Sequence, residues 1–211
     1  MTKLSPLTLL ASLAITATPV LAKSDTAGLG KSNFSYSTLG FQVGKVTLED
    51  ELVFLGEVYE EFSSFGVNGT FQAADNFAIG LSGTGFSNNG PRTEITTTSV
   101  SVNAYFPLPA GERIDIIPRI GYISTEAEAC ADGFCSTVDD TGIGYGLFAR
   151  GWVVPGQFEV NGGFSDTNEE DSEGVLSLGA AAWFNEHHSI GFNYDTSEDV
   201  SAFDLGYRYT W

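Results

Sequence analysis

From Ser32 onward the chain alternates with a period of two, and the face opposite its apolar residues is built largely of glycine. Period two is the signature of a strand, because successive side chains of extended backbone point to opposite sides. Phe158, Val160, Gly162 and Phe164 share one side, while Glu159, Asn161 and Gly163 share the other. The last strand repeats this, with Phe203, Leu205, Tyr207, Tyr209 and Trp211 opposed to Asp204, Gly206, Arg208 and Thr210. The same template gives ten segments, at roughly 33–48, 54–73, 76–87, 93–106, 113–125, 138–153, 157–167, 173–184, 188–197 and 199–211, and no stretch carries a convincing helical period. The reading is all-β.

Two architectures bury such strands. A soluble sandwich or lipocalin-like barrel turns its apolar face inward, whereas a membrane barrel turns that face to lipid and fills its interior with the other. A solvated face calls for Lys, Glu and Thr, yet here it carries Gly40, Gly44, Gly66, Gly80, Gly142, Gly144, Gly146, Gly163, Gly179, Gly191 and Gly206. Residues that small suit a crowded lumen. Acids are also sorted by connection. Glu49, Asp50, Glu51, Glu57, Glu60 and Glu61 surround the first, and Glu126, Glu128, Asp132, Asp139 and Asp140 the fifth. Asp166, Glu169, Glu170, Asp171 and Glu173 surround the seventh, and Asp195, Glu198 and Asp199 the ninth. These make 19 of the 27 acids, all beside odd-numbered connections, while the even-numbered ones are short. Short turns at one end and long charged loops at the other are the pattern of outer-membrane barrels. The expected fold is an antiparallel up-and-down transmembrane β-barrel over residues 23–211, with ten strands, or eight if the first or ninth segment lies outside the wall. A β-bulge is expected at Pro118, which sits within a strand and has no N–H for the ladder.

Residues 1–22 read as a signal peptide: Lys3, an apolar stretch from Leu7 to Ala17, then Val20 and Ala22 at the small-residue positions of a cleavage site. That stretch is too short to cross a membrane as a helix, which takes about 20 apolar residues. Cys130 and Cys135 are the only cysteines, and in an exported chain they are expected to form a local disulfide. The formal charge of -18, with 27 acids against 9 Lys and Arg, makes nucleic acid an improbable partner, since a phosphate backbone needs clustered basic groups.

The ending Leu205, Tyr207, Tyr209, Trp211, the turn Ala74–Asp75–Asn76–Phe77, and the pair Asp115 to Tyr122 with Gly142 to Gly151 resemble small Gram-negative outer-membrane β-barrel proteins of the OmpA-like and opacity-type superfamily. The resemblance implies an outer-membrane location, contact with lipid and lipopolysaccharide, and recognition of the C-terminal residues by the barrel-assembly machinery. The family usually ends in Phe where this chain has Trp211. Its members span structural, adhesive and pore-like proteins, so the resemblance implies a place more than an activity.

Extending the alternation puts Asp115, Arg119, Arg150, Glu159, Asp204 and Arg208 in the lumen. Buried charges are tolerated when paired and hydrogen-bonded, so these six are expected to form ion pairs, with Arg150 and Glu159 almost opposite one another. A network that plugs the barrel is the favoured reading, and a narrow cation-favouring pore the alternative. The run Asp166, Glu169, Glu170, Asp171, Glu173 is a weak candidate for loosely bound Ca²⁺ or Mg²⁺, without EF-hand spacing; no other cofactor is expected. His187 and Ser189, with Asn193 nearby, echo the His-x-Ser pairing of lipid A deacylases, but they lie at the periplasmic end without a flanking motif, so a barrel enzyme ranks third. The expected function is structural or surface interaction through acidic external loops, with the external partner unnamed.

Overall fold

The computed structural model describes residues 32–169 and 172–211. The export segment 1–22, and Glu170 and Asp171 of the acidic run, lie outside the described residues. The strands are β1 (Thr38–Phe54), β2 (Glu57–Ala74), β3 (Phe77–Asn89), β4 (Thr93–Tyr105), β5 (Leu108–Pro109), β6 (Ile114–Ala131), β7 (Phe134–Val154), β8 (Phe158–Thr167), β9 (Val175–Trp183), β10 (His188–Thr196) and β11 (Val200–Thr210). Consecutive strands pair antiparallel except β4 and β5, which both pair with β6, and β1 pairs with β11, so the sheet closes on itself. Among the described residues no helix is long and apolar enough to cross a membrane.

Ten long strands make the wall, and the two-residue β5 continues β4. Tyr105 pairs with Arg119 and Leu108 with Ile116, so the ladder keeps its register across a gap at Phe106 and Pro107. That gap answers Pro118. Phe106 N–H donates to the Pro118 carbonyl at 3.0 Å, so the nitrogen of Pro118, which has no hydrogen to give, faces the same neighbour. The expected bulge in β6 is absent, because Pro118 pairs with Leu147 in unbroken register. The irregularity lies on the partner strand instead.

Register fixes the tilt. A row of partners leaves β6 at Asp115 and passes through Arg150, Asn161, Gly179, Asn193, Asp204, Gly44, Ser64, Phe86 and Thr97 before returning to β6 at Ala127, twelve residues on. Ten strands with that stagger tilt by about 40°.

The wall exposes Leu39, Phe41, Val43, Phe65, Val67, Ile79, Leu81, Val100, Ile120, Tyr145, Leu178, Phe192 and Leu205, and buries the charged residues opposite. This is the arrangement of a barrel solvated by lipid, with a polar filling. Two features depart from the sequence reading. Residues 32–37 are not the start of the first strand. Ser32, Phe34 and Tyr36 are buried, and the segment crosses the tight-turn end of the barrel, with Ser32 N–H bonded to the Asp75 carbonyl at 3.1 Å and Tyr36 N–H to Gln72 Oε1 at 2.9 Å.

The second departure is at the other end. The first and fifth wide connections are not long loops: β1 and β2 run on to a two-residue turn at Leu55–Gly56, and β6 and β7 to one at Asp132–Gly133. Both residues of each turn have positive φ, the geometry of the tight turns that match strand twist. Along these extensions the polarity inverts. Lys45 and Glu61 now point outward and pair at 2.5 Å, while Val46, Leu48, Leu52, Tyr59, Phe62, Phe86, Ile95, Val200 and Ala202 form an apolar cluster inside. The extension stands in water, so it follows the rule for a soluble sheet.

Candidate functional site

The interior is a stack of three layers. At the tight-turn end, Phe34, Tyr36, Tyr105, Ile117, Phe148 and Trp183 form an apolar floor. Set into it, Asp115 accepts hydrogen bonds from Asn33 N–H at 2.9 Å and from the Tyr36 hydroxyl at 3.0 Å. The apolar cap at the hairpin end is the top layer. Between them lies the polar filling.

Its centre is Glu159, wholly buried on β8. One carboxylate oxygen accepts from Arg150 and, at 2.9 Å, from Trp183 Nε1; the other accepts from Arg208 at 3.1 Å. Arg150 stands opposite Asn161 in register, two residues along β8 from Glu159 and on the same face, and the ladder shifts only beyond them, between Trp152 and Val154. The guanidinium planes are packed as well as bonded: Arg150 lies 4.7 Å over Phe34 and Arg119 4.7 Å over Phe148, an attraction of cation and ring that adds to the ion pairs. Phe148 can lie there because Gly163 has no side chain; a β-carbon would come within 2.4 Å of the ring. Asp204 accepts from the Ser64 hydroxyl at 2.7 Å, and among the described residues it forms no ion pair with an arginine. The six lumen charges are all inside, and Arg150, Glu159 and Arg208 meet in one cluster.

Residues that the sequence reading did not place in the lumen complete it. Trp183, Tyr36, Asn33, Asn193 and Ser189 hold the charged groups, and Asp195, grouped above with the acids of the ninth connection, is buried inside the wall. Its parity was the available signal, since it follows the exposed line Ile190, Phe192, Tyr194 by one residue.

Outside, the long hairpins join into a crest on one side of the mouth. The loop at Gly90–Arg92 ties them: Arg92 N–H donates to Glu57 at 3.0 Å and its guanidinium pairs with Asp132 at 2.6 Å. Thr93 and Tyr59 also bond Glu57, and the Thr93 hydrogen bond holds its carboxyl below the ordinary range. Cys130 and Cys135 face each other across the β6–β7 hairpin as a disulfide. Glu128 lies beside them, but bonded sulfurs are no metal ligands. The acidic run does not gather its described members into a ligand set. Asp166 accepts from the Ser172 hydroxyl at 2.8 Å. Burial and then Asp140 raise the Glu169 carboxyl, and burial followed by Asp199 and Glu198 raises Glu173.

His187, His188 and Ser189 do not converge. His187 Nδ1 lies 2.8 Å from the Thr210 carbonyl, and His188 Nδ1 2.6 Å from the Tyr207 hydroxyl on the exterior. Ser189 faces the lumen and accepts from Arg208 at 3.1 Å. Leu205, Tyr207, Tyr209 and Trp211 all project outward from the last strand and the residue after it.

A closed wall that exposes its apolar side chains and buries its charges defines a transmembrane β-barrel of the outer-membrane type. No protein-family model matches the chain, and no curated protein does. Among solved structures it is similar to the attachment invasion locus protein Ail of Yersinia pestis (12% identity, covering 82% of this chain and 99% of that one, TM-score 0.44). It is similar also to the translocator domain of the autotransporter NalP from Neisseria meningitidis (10%, 89% and 90%, TM-score 0.49) and to the KdgM porin (6%, 82% and 99%, TM-score 0.48). At these identities and scores the likenesses bear on no activity.

Proposed function

We propose that this barrel anchors an acidic, one-sided crest in the outer membrane and that the crest makes surface contacts. The observation that carries the reading is the layered interior, with an apolar floor and an apolar cap around a polar filling. An aqueous channel would have to pass both, and a barrel of ten strands is far narrower than the 16–18 strands of general porins. The crest bears Leu55 and Phe134, 72% and 84% exposed, at its two hairpin tips, amid Glu49, Asp50, Glu51, Glu60, Glu61, Glu126 and Glu128. Apolar tips ringed by carboxylates suit contact more than simple hydration. No catalytic role is assigned.

In this reading residues 1–22 direct export, the C-terminal aromatics engage the assembly machinery, and the acidic end faces the exterior, with divalent cations bridging it to lipopolysaccharide phosphates. Two measurements test it. A Leu55→Cys variant should be labelled on intact cells by a maleimide that cannot cross the outer membrane. Purified protein in planar bilayers should give no steady single-channel openings. Labelling only after permeabilisation would reverse the orientation, and large stable openings would sink the closed-barrel reading in favour of the narrow pore.

A further inference from the structure

The wall is higher on one side than on the other, and the step leaves a strand edge open. β7 starts at Phe134, but β8 covers it only from Gly144, the partner of Thr167. Just above that pair the Ile143 carbonyl accepts the Asn168 N–H at 3.0 Å, and Ile143 N–H donates to Asn168 Oδ1 at 2.7 Å. The backbone groups of Ile143 therefore face the β8 side, and alternation turns those of Thr141, Asp139, Thr137 and Cys135 the same way. Thr141 N–H is covered by Asp140 Oδ1 at 2.7 Å. The N–H and carbonyl groups of Cys135, Thr137 and Asp139 meet no partner on that side among the described residues. Three open rungs remain, over about 13 Å of strand.

Such an edge is a template for a further strand, and folded proteins blunt most of theirs. The opposite side of the crest is blunted, since β1 bulges between Thr47 and Leu52, around the point where its pairing with β11 stops at Leu48. β7 instead stays in unbroken register with β6 from Phe134 down to Gly151, and the Cys130–Cys135 disulfide fixes its first open rung. The two faces beside this edge differ. Phe134 and Val138 have the parity of the buried Phe148 and Arg150, so they lie on the inner side of the crest, yet they are 84% and 58% exposed because no strand stands next to them. Between them Ser136 partners Ala129, which packs against the apolar cap. On the outer side Asp139 and its register partner Glu126 are both exposed. Like charges directly opposite one another are destabilising, and a cation beside them relieves the repulsion.

We propose that the β7 edge from Cys135 to Asp139 accepts an extended segment of a basic partner protein as an added strand, in the place that β8 leaves open. Main-chain hydrogen bonds to the three rungs set its register, and alternate side chains give selectivity. Apolar residues of the segment lie inward on Phe134 and Val138, and the Lys or Arg residues between them lie outward beside Asp139 and Glu126. Those acids disfavour a second copy of this chain, whose own edge brings carboxylate against carboxylate. The inference deepens the contact role proposed for the crest and rests on it; the Leu55→Cys labelling tests that role separately from the edge.

The probe is a peptide of about nine residues alternating Lys with Val, offered to the barrel in phosphatidylcholine nanodiscs. One peptide per barrel should bind saturably, above empty nanodiscs, and amide exchange should slow at Thr137 and Asp139 but not at Ser136 and Val138, whose N–H groups already face β6. Thr137→Pro removes one outward N–H at an edge position that tolerates proline, so it should weaken binding about tenfold or more. Thr137→Val keeps the N–H and should bind as the wild type does, with heat-modifiable migration reporting the folding of both variants. N-methylation of the peptide's Val amides or of its Lys amides should abolish binding in one case and spare it in the other, a test that needs no variant. A Glu–Val peptide should not bind. No binding of the Lys–Val peptide above empty nanodiscs, or equal affinity of the folded Thr137→Pro and Thr137→Val barrels or of the two methylated peptides, would overturn strand addition. Equal binding of the Glu–Val peptide would overturn the basic partner, and dimerisation of the barrels that Thr137→Pro abolishes would overturn it in favour of a second copy.

Discussion

Trp183 Nε1 donates to Glu159 Oε2 at 2.9 Å, and that oxygen also receives Arg150. With Arg208 on Oε1, one carboxylate ties β7, β8, β9 and β11 from inside the wall. Glu159→Gln keeps the shape but removes the charge that both guanidinium groups face. Breaking a buried pair from one side costs about 3–5 kcal/mol, so the variant should lose its compact, heat-modifiable gel band at a markedly lower temperature. Ser189→Ala, which removes only a secondary acceptor for Arg208, should cost about 1 kcal/mol. Equal melting of Glu159→Gln and wild type would mean that the network adds nothing to stability.

The cap gives a separable prediction. Phe62 is fully buried among Val46, Tyr59, Phe86 and Ile95, and truncating such a ring to Ala costs about 3–5 kcal/mol. Thermal unfolding of Phe62→Ala should fall accordingly, while bilayer recordings stay silent because the floor still closes the far end. A conducting Phe62→Ala barrel would show that the cap alone seals the lumen.

How much of this was legible in the sequence depends on the solvent each segment meets. The lipid-facing line and its glycine-rich reverse were readable wherever the wall contacts lipid, because there the polarity rule is uniform. Lys45–Val46–Thr47–Leu48 obeys the same period with the opposite polarity, so it looked like the approach to a charged loop rather than the base of a hairpin. Phe34 and Tyr36 alternate with Asn33 and Ser35 as a strand would, and nothing local distinguishes a strand from an extended segment laid across the barrel mouth. Arg150 and Glu159 were within reach of each other on turn geometry alone. Asn33 and Asp115, 82 residues apart, were not, since only closure of the barrel brings them together.

The outer mouth should respond to pH. Burial raises Glu169 and Glu173 above the ordinary value of 4.5, with help from Asp140 and from Asp199 and Glu198 respectively. The native state therefore holds these protons more tightly than the unfolded chain, and stability from this source is lost as pH rises from 4.5 through the raised values. Glu173→Gln should raise the melting temperature at pH 7.5 and leave it nearly unchanged at pH 4. A stabilisation equal at both pH values would trace the effect to something other than charge.

Leu55 occupies the left-handed region at φ 50 in the β1–β2 turn, where an L-residue other than Gly, Asn or Asp costs roughly 1–2 kcal/mol. Its side chain is exposed, so packing offers no visible compensation within this chain. Leu55→Asn should slow proteolysis of the hairpin tip and stabilise it by about 1 kcal/mol. If the crest makes surface contacts, the same variant should weaken them, and a strained residue kept at an exposed tip would then have a functional reason.

The disulfide should matter to the crest and hardly to the barrel. Cys130 and Cys135 are cross-strand partners just below the Asp132–Gly133 turn, beyond the lipid-facing part of the wall. The bond closes a short loop that a tight turn already closes, so the denatured chain gains little freedom when it is removed. Cys130→Ser with Cys135→Ser should leave the global melting temperature within a few degrees. Locally, Arg92 and Asp132 are joined by a backbone hydrogen bond from Asp132 N–H to the Arg92 carbonyl at 3.4 Å and by an exposed ion pair, which is worth less than about 1 kcal/mol. Fraying of residues 128–137 should therefore rise, seen as faster amide exchange and protease nicking near Gly133. A large drop in melting temperature would instead mean that the crest and the membrane-embedded wall unfold as one cooperative unit.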